Sequence, residues 1–150
     1  MTLVDTNVLL DVVTDDPVWA QWSLGRFDAA ALKGPLAINP VVHAELSVRF
    51  ERIEDLEGAV AQAGLAMETM PRAALFLAGK AFPRYRAAGG ARTGVPPDFF
   101  IGAHAALESV PLLTRDARRY RTYFPSLVLI TPEGRGREVV KPAENPATHV

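Results

Sequence analysis

None of the 150 residues is a cysteine. Disulfides, thiol nucleophiles and cysteine-ligated zinc or iron–sulfur centres are therefore excluded. Long apolar runs are missing as well: nothing approaches the ~18 residues that a membrane-spanning helix requires. No basic-then-apolar leader precedes the first strand pattern, so the expectation is a cytoplasmic protein with no membrane partner. No glycine-rich phosphate loop of the P-loop spacing occurs. The three histidines, His43, His104 and His149, are scattered, and Ser23 and Ser47 lack a Ser-His-Asp context. His104, within an apolar helix pattern, reads as a packed helix residue rather than a ligand. Net charge is almost absent too, at −1.

That small total hides an uneven distribution. Residues 1–71 carry four Lys/Arg against eleven Asp/Glu, whereas residues 72–121 carry nine against three. A basic segment beside an acidic one suits a protein that meets a polyanion on one side. The competing account is that exposed helices carry charge of either sign. Composition is that of a globular domain, 49% hydrophobic and 22% charged, and the length suits one domain rather than two.

Short apolar runs alternate with helix-like patterns. Strands are expected at 2–4, 36–38, 65–70, 111–114 and 127–130. Helices are expected at 7–14, 17–32, 40–51, 53–63, 71–88, 98–109 and 116–123. Asp16-Pro17 and Asn39-Pro40 each pair a capping side chain with proline at the first helical position. Pro83 predicts a kink or break near residues 81–82. This alternation argues for an α/β domain on a parallel sheet. The domain is expected to span 1–131, with a loosely ordered tail at 132–150, where prolines and glycines are frequent and large apolar residues few.

Four acids stand out by position. Asp5 ends the first strand, where ligands of open α/β sheets bind, although an Asp there is also an ordinary helix cap. Asp98 lies in the first turn of a helix after Pro96-Pro97, and Asp116 follows the strand ending at Thr114 by two residues. Acids in a first helical turn also favour the helix dipole. Glu45 lies in the second turn of its helix, bracketed on the wheel by Val41 and Val42. A Glu in an apolar arc needs a partner; Arg49 or Arg52 would supply a structural bridge, and a cation would supply the alternative. If three or four of these carboxylates converge, a hard cation such as Mg²⁺ or Mn²⁺ must offset their repulsion. Such ions activate water at phosphoryl centres, so metal-dependent phosphodiester hydrolysis is the reaction class that fits.

The segments Val4-Asp5-Thr6-Asn7-Val8-Leu9-Leu10-Asp11, His43-Ala44-Glu45-Leu46, Pro97-Asp98-Phe99-Phe100-Ile101-Gly102-Ala103-His104-Ala105 and Leu113-Thr114-Arg115-Asp116 occur in that order. Together they resemble the PIN-domain ribonucleases, specifically the VapC-type toxins of bacterial type II toxin–antitoxin systems, over residues 2 to about 131. Each motif is short, and the specificity lies in their order and spacing. The resemblance implies a PIN-like three-layer α/β/α sandwich around a short central parallel sheet. It implies Asp5, Glu45 and Asp98 as core metal-binding carboxylates and Asp116 as a more variable fourth. Thr6, Asn7 and Thr114 would support them. The implied activity is endonucleolytic cleavage of RNA by water activated on Mg²⁺ or Mn²⁺, held in check by a cognate antitoxin whose C-terminal segment packs over the early helices. Trp19, Trp22 and Phe27 either line that groove or pack in the core.

The basic segment would then grip the RNA backbone, with Arg92, Arg115 and Arg118 as expected substrate contacts and Arg92, on a glycine-flanked loop, foremost. Apolar helical faces and the family likeness together give a homodimer as the expected assembly. Gly89-Gly90 and Pro96-Pro97 depart from the family pattern, so substrate preference does not carry over. Two alternatives stay open. One is a non-catalytic PIN-like RNA-binding or assembly module. The other is a Mg²⁺-dependent phosphatase or phospho-receiver-like domain, disfavoured because Asp5-Thr6-Asn7 lacks a second early Asp.

Overall fold

A computed structural model describes residues 1–132; His149 and all but the first residue of the expected tail at 132–150 lie outside the described residues. In chain order the elements are β1 (Thr2–Val4), α1 (Thr6–Val13), α2 (Ala20–Lys33), β2 (Leu36–Ile38), α3 (Pro40–Ser47), α4 (Ile53–Gln62), β3 (Leu65–Met67), α5 (Arg72–Ala87), α6 (Pro97–Glu108), β4 (Leu112–Leu113), α7 (Arg118–Tyr123) and β5 (Leu129–Ile130). No helix among the described residues is long and apolar enough to cross a membrane.

The five strands form one parallel sheet in the order β3-β2-β1-β4-β5. From β1 the chain moves outward to β2 and β3, then returns through α5 and α6 to β4 on the other side. Parallel crossovers are right-handed, so connections that run in opposite directions lie on opposite faces of the sheet. The result is an α/β/α sandwich of three layers. With both faces covered, the inner strands are short continuous apolar runs rather than alternating ones. Leu3, Val4, Ala37, Ile38, Leu112 and Leu113 are all at most 1% exposed.

Local chemistry sets the element ends. Asn39 caps α3, its side chain accepting from the Val42 N–H at 3.0 Å, and Pro40 takes the first helical position. Asp16 does the expected capping chemistry without starting a helix there. Its Oδ1 accepts from the Val18 and Trp19 N–H groups, which holds 17–19 in a turn, and α2 begins only at Ala20. α5 continues through Pro83, so the expected break does not occur. α3 stops at Ser47, short of the expected residue 51.

The innermost helix is α6, in which Phe99 and residues 101–105 are buried. A β-carbon on Gly102 would lie 2.9 Å from the Tyr120 ring and 2.8 Å from that of Phe124. Only glycine lets α7 sit this close to α6, and that closeness brings Tyr120 to the sheet edge.

Candidate active site

The order of strands reverses between β1 and β4, and in open α/β sheets the crevice at such a point is where ligands bind. Val4 pairs with Leu113 there, so the next residues, Asp5 and Thr114, stand side by side at the carboxyl edge. Asp5 occupies the N-cap position of α1 but its side chain makes no capping hydrogen bond. Instead Asp5 Oδ2 accepts from Tyr120 Oη at 2.7 Å, from Thr114 Oγ1 at 2.9 Å and, more weakly, from Asn7 Nδ2 at 3.5 Å. Burial pushes the Asp5 carboxyl up to about 6 against the pull of the Tyr120 and Thr114 hydrogen bonds, and the charge of Glu45 adds to the rise. The Tyr120 hydroxyl is itself held well above its ordinary range by burial and by Asp5, so it remains a donor.

The remaining acids surround this point. Glu45 is half-buried, and its Oε1 accepts from Thr6 Oγ1 at 2.8 Å. Among the described residues neither Arg49 nor Arg52 pairs with it; Arg52 pairs with Glu54. Asp98, in the first turn of α6, forms an ion pair with Arg119, whose Nε lies 2.9 Å from Oδ2. Burial raises the Asp98 carboxyl above its usual value, opposed first by Arg119 and less by Arg92. Asp116 is exposed, its N–H donating to Thr114 Oγ1 at 3.1 Å and its Oδ1 accepting from the Arg118 N–H at 3.3 Å.

Asp5, Thr6, Asn7, Glu45, Arg92, Asp98 and Asp116 line one cleft of about 270 Å³, together with Arg119 and Tyr120. Thr114 lies beneath its floor, bonded to Asp5 and Asn7. Two residues expected at the substrate are elsewhere. The Arg115 guanidinium is bidentate on Asp11, at 2.8 and 3.0 Å, and Arg118 is exposed without lining the cleft. Tyr120 and the pairing of Arg119 with Asp98 had no sequence signal beyond a basic run, because both depend on how α7 packs on α6.

The donor set, carboxylates with hydroxyl support and no sulfur or exposed imidazole, suits a hard divalent cation. The spacing does not yet complete a shell: among the described residues no three Asp, Glu or His side chains are grouped to hold an ion.

Fold and site together define the class. The chain belongs to the PIN-domain family, whose sequence pattern matches residues 2–125. No curated protein is significantly similar to it in sequence. Similar solved structures include VapBC2 from Rickettsia felis bound to a promoter DNA fragment, with 18% identity, a TM-score of 0.66, and 87% of this chain and 97% of that one covered. VapBC-1 from nontypeable Haemophilus influenzae gives 16% identity and a TM-score of 0.63 over 87% and 96% of the two chains. FitAcB from Neisseria gonorrhoeae gives 19% and 0.61 over 88% and 98%.

Proposed function

We propose that this protein is the toxin of a toxin–antitoxin pair and acts as a divalent-metal-dependent endoribonuclease. The observation that carries the reading is the single cleft lined by Asp5, Glu45, Asp98 and Asp116 in a chain of the PIN-domain family. Asp5, Glu45 and Asp98 would hold Mg²⁺ or Mn²⁺, with Asp116 as a more exposed fourth donor. A bound cation supplies a water nucleophile and charge stabilisation at the phosphoryl group. The chain's own residues prepare that chemistry. Tyr120 and Thr114 orient one oxygen of Asp5, Thr6 orients Glu45, and the backbone of Arg115 donates to Asn7 Oδ1 at 3.2 Å, which fixes the Asn7 amide. Arg92, which lines the cleft, supplies positive charge for the RNA backbone.

An antitoxin partner belongs to the same proposal, supported by the likeness to a toxin–antitoxin complex from Klebsiella pneumoniae. An apolar groove of about 310 Å³ between α1, α2 and α4, lined by Leu9, Val12, Leu24 and Phe27 among others, suits an apolar segment of such a partner. Trp19 and Trp22 do not line it; they pack edge-to-face with each other. A homodimer is part of the same proposal, with exposed Leu75 and Phe76 on α5 as apolar surface for it.

Cleavage of total RNA with Mn²⁺ or Mg²⁺ tests the reading, with EDTA and Asp98→Asn as controls. Metal-dependent cleavage lost in both controls supports it. One observation favours a non-catalytic RNA-binding module, namely the ion pair that already occupies Asp98; RNA binding without cleavage under every metal condition would establish that reading instead. Phosphate release from small phosphomonoesters with RNA intact would point to the phosphatase class.

A further inference from the structure

Arg119 and Tyr120 are consecutive residues of α7, and each holds a different carboxylate of the cleft. Their chemistry differs. Tyr120 is a neutral donor and leaves the negative charge of Asp5 for something else to balance. Arg119 is a full positive charge placed on Asp98, with Nε 2.9 Å from Oδ2. The guanidinium also packs over the Tyr85 ring at 5.7 Å, and the Tyr85 hydroxyl accepts from the Arg92 N–H at 3.2 Å. Its side chain is 36% exposed, so water reaches the ion pair.

The guanidinium sits on Asp98 Oδ2 and puts a full positive charge where a divalent cation would approach that carboxylate, so the two compete electrostatically. We infer that Arg119 is a resident counter-ion of Asp98 that competes with an incoming divalent cation for this carboxylate. The inference rests on the metal-nuclease reading above. It makes Arg119 a determinant of metal affinity: the pair keeps the acidic cleft stable when empty and weakens its hold on the ion.

Mn²⁺ binding, measured by calorimetry and by loss of the free-ion paramagnetic resonance signal, tests this without any catalytic assay. The forms compared are the wild type, Arg119→Ala, Arg119→Gln, Arg119→Lys, Arg92→Ala and Asp98→Asn, each checked for folding by thermal melting. Arg119→Ala and Arg119→Gln are expected to bind Mn²⁺ about three- to fivefold more tightly, the size expected when a partly exposed ion pair no longer competes. Arg119→Lys, which keeps the charge, stays near the wild type. Arg92→Ala, which removes a charge from the same cleft with no bond to Asp98, gives a smaller gain, and Asp98→Asn abolishes the tight site. Equal tightening in Arg92→Ala and Arg119→Ala would reduce the effect to general charge and overturn the inference. So would unchanged or weaker binding in the Arg119 variants while the wild type binds through Asp98. Absence of Mn²⁺ binding in every form would overturn the metal reading along with it.

Discussion

Asn39 fixes the protonation state of His104. Its Oδ1 accepts from the Val42 N–H, so its Nδ2 must face His104 Nδ1, 3.2 Å away. Nδ1 is then an acceptor, and His104 is neutral with its proton on Nε2. Burial depresses the His104 pKa below 6.5, opposed by Glu108 and Glu68. Because the unfolded state takes up the proton at higher pH than the folded state, this contribution is complete above about 6.5 and is lost as pH falls through the depressed folded value. The urea midpoint should therefore drop between pH 7.5 and pH 5 by more in the wild type than in His104→Gln, which keeps an acceptor but does not titrate. Asp5 makes the contrasting case. It caps nothing, so Asp5→Asn is expected to keep the far-UV spectrum and cooperative melt while losing Mn²⁺ binding and RNA cleavage; loss of the fold would make it a structural residue. As candidates, Asp5 and Glu45 were legible in the sequence because one ends an apolar strand and the other interrupts an apolar arc, and Asp98 because it opens a helix after Pro96-Pro97. Tyr120 was not, since its partner Asp5 lies 115 positions away and local pattern says nothing of that distance.

Among the elements, what local chemistry dictates was legible and what neighbours dictate was not. The Asn39-Pro40 device starts α3 where expected. The Asp16-Pro17 device does not start α2, because the Asp16 side chain satisfies the Val18 and Trp19 N–H groups in a turn. Asp11 was read only as part of a motif, yet it is 2% exposed and organises three elements. It accepts the bidentate Arg115 fork from the loop after β4 and the Ser23 hydroxyl of α2, the latter at 2.7 Å, while Arg115 also packs over Trp19 at 5.4 Å. Removing one partner of a buried ion pair leaves the other charge uncompensated. Arg115→Ala is therefore expected to lower stability by about 1–3 kcal/mol, discounted because the Arg side chain is partly in water. Chemical denaturation checks this; unchanged stability with weakened RNA binding would return Arg115 to the substrate. The α6–α7 contact has its own test. Gly102→Ala would drive a methyl group into the Tyr120 and Phe124 rings, at a cost of about 1–3 kcal/mol typical of overpacking, and would loosen Tyr120 from Asp5.

At the scale of the whole molecule, the sheet explains why acids far apart in sequence share one cleft. Asp5 and Thr114 end neighbouring parallel strands at the point where the strand order reverses, and α3 and α6 bring Glu45 and Asp98 to the same edge. The alternation of strands and helices made the layered architecture legible, whereas no feature of the sequence separates arginines that reach the cleft from those that do not. Of the basic residues in 72–121, Arg92 and Arg119 line it, Arg115 is held by Asp11, and Arg84 and Arg86 donate to the backbone carbonyls of Tyr123, Gly90 and Arg92. The Arg92 backbone is anchored by Tyr85 and Arg86, while its guanidinium makes no hydrogen bond or close ion pair among the described residues and acts on Asp98 only through its charge. A positive charge held in the lining of an acidic cleft without a hydrogen-bonded partner is suited to a phosphate that the acids alone would repel. Each phosphate neutralised on a single strand contributes about −0.7 to the slope of log affinity against log salt. Arg92→Ala should thus weaken binding of single-stranded RNA to the Asp98→Asn background and flatten that slope by roughly 0.7. Fluorescence anisotropy across a salt series reads both quantities, and an unchanged slope would remove Arg92 from the RNA path.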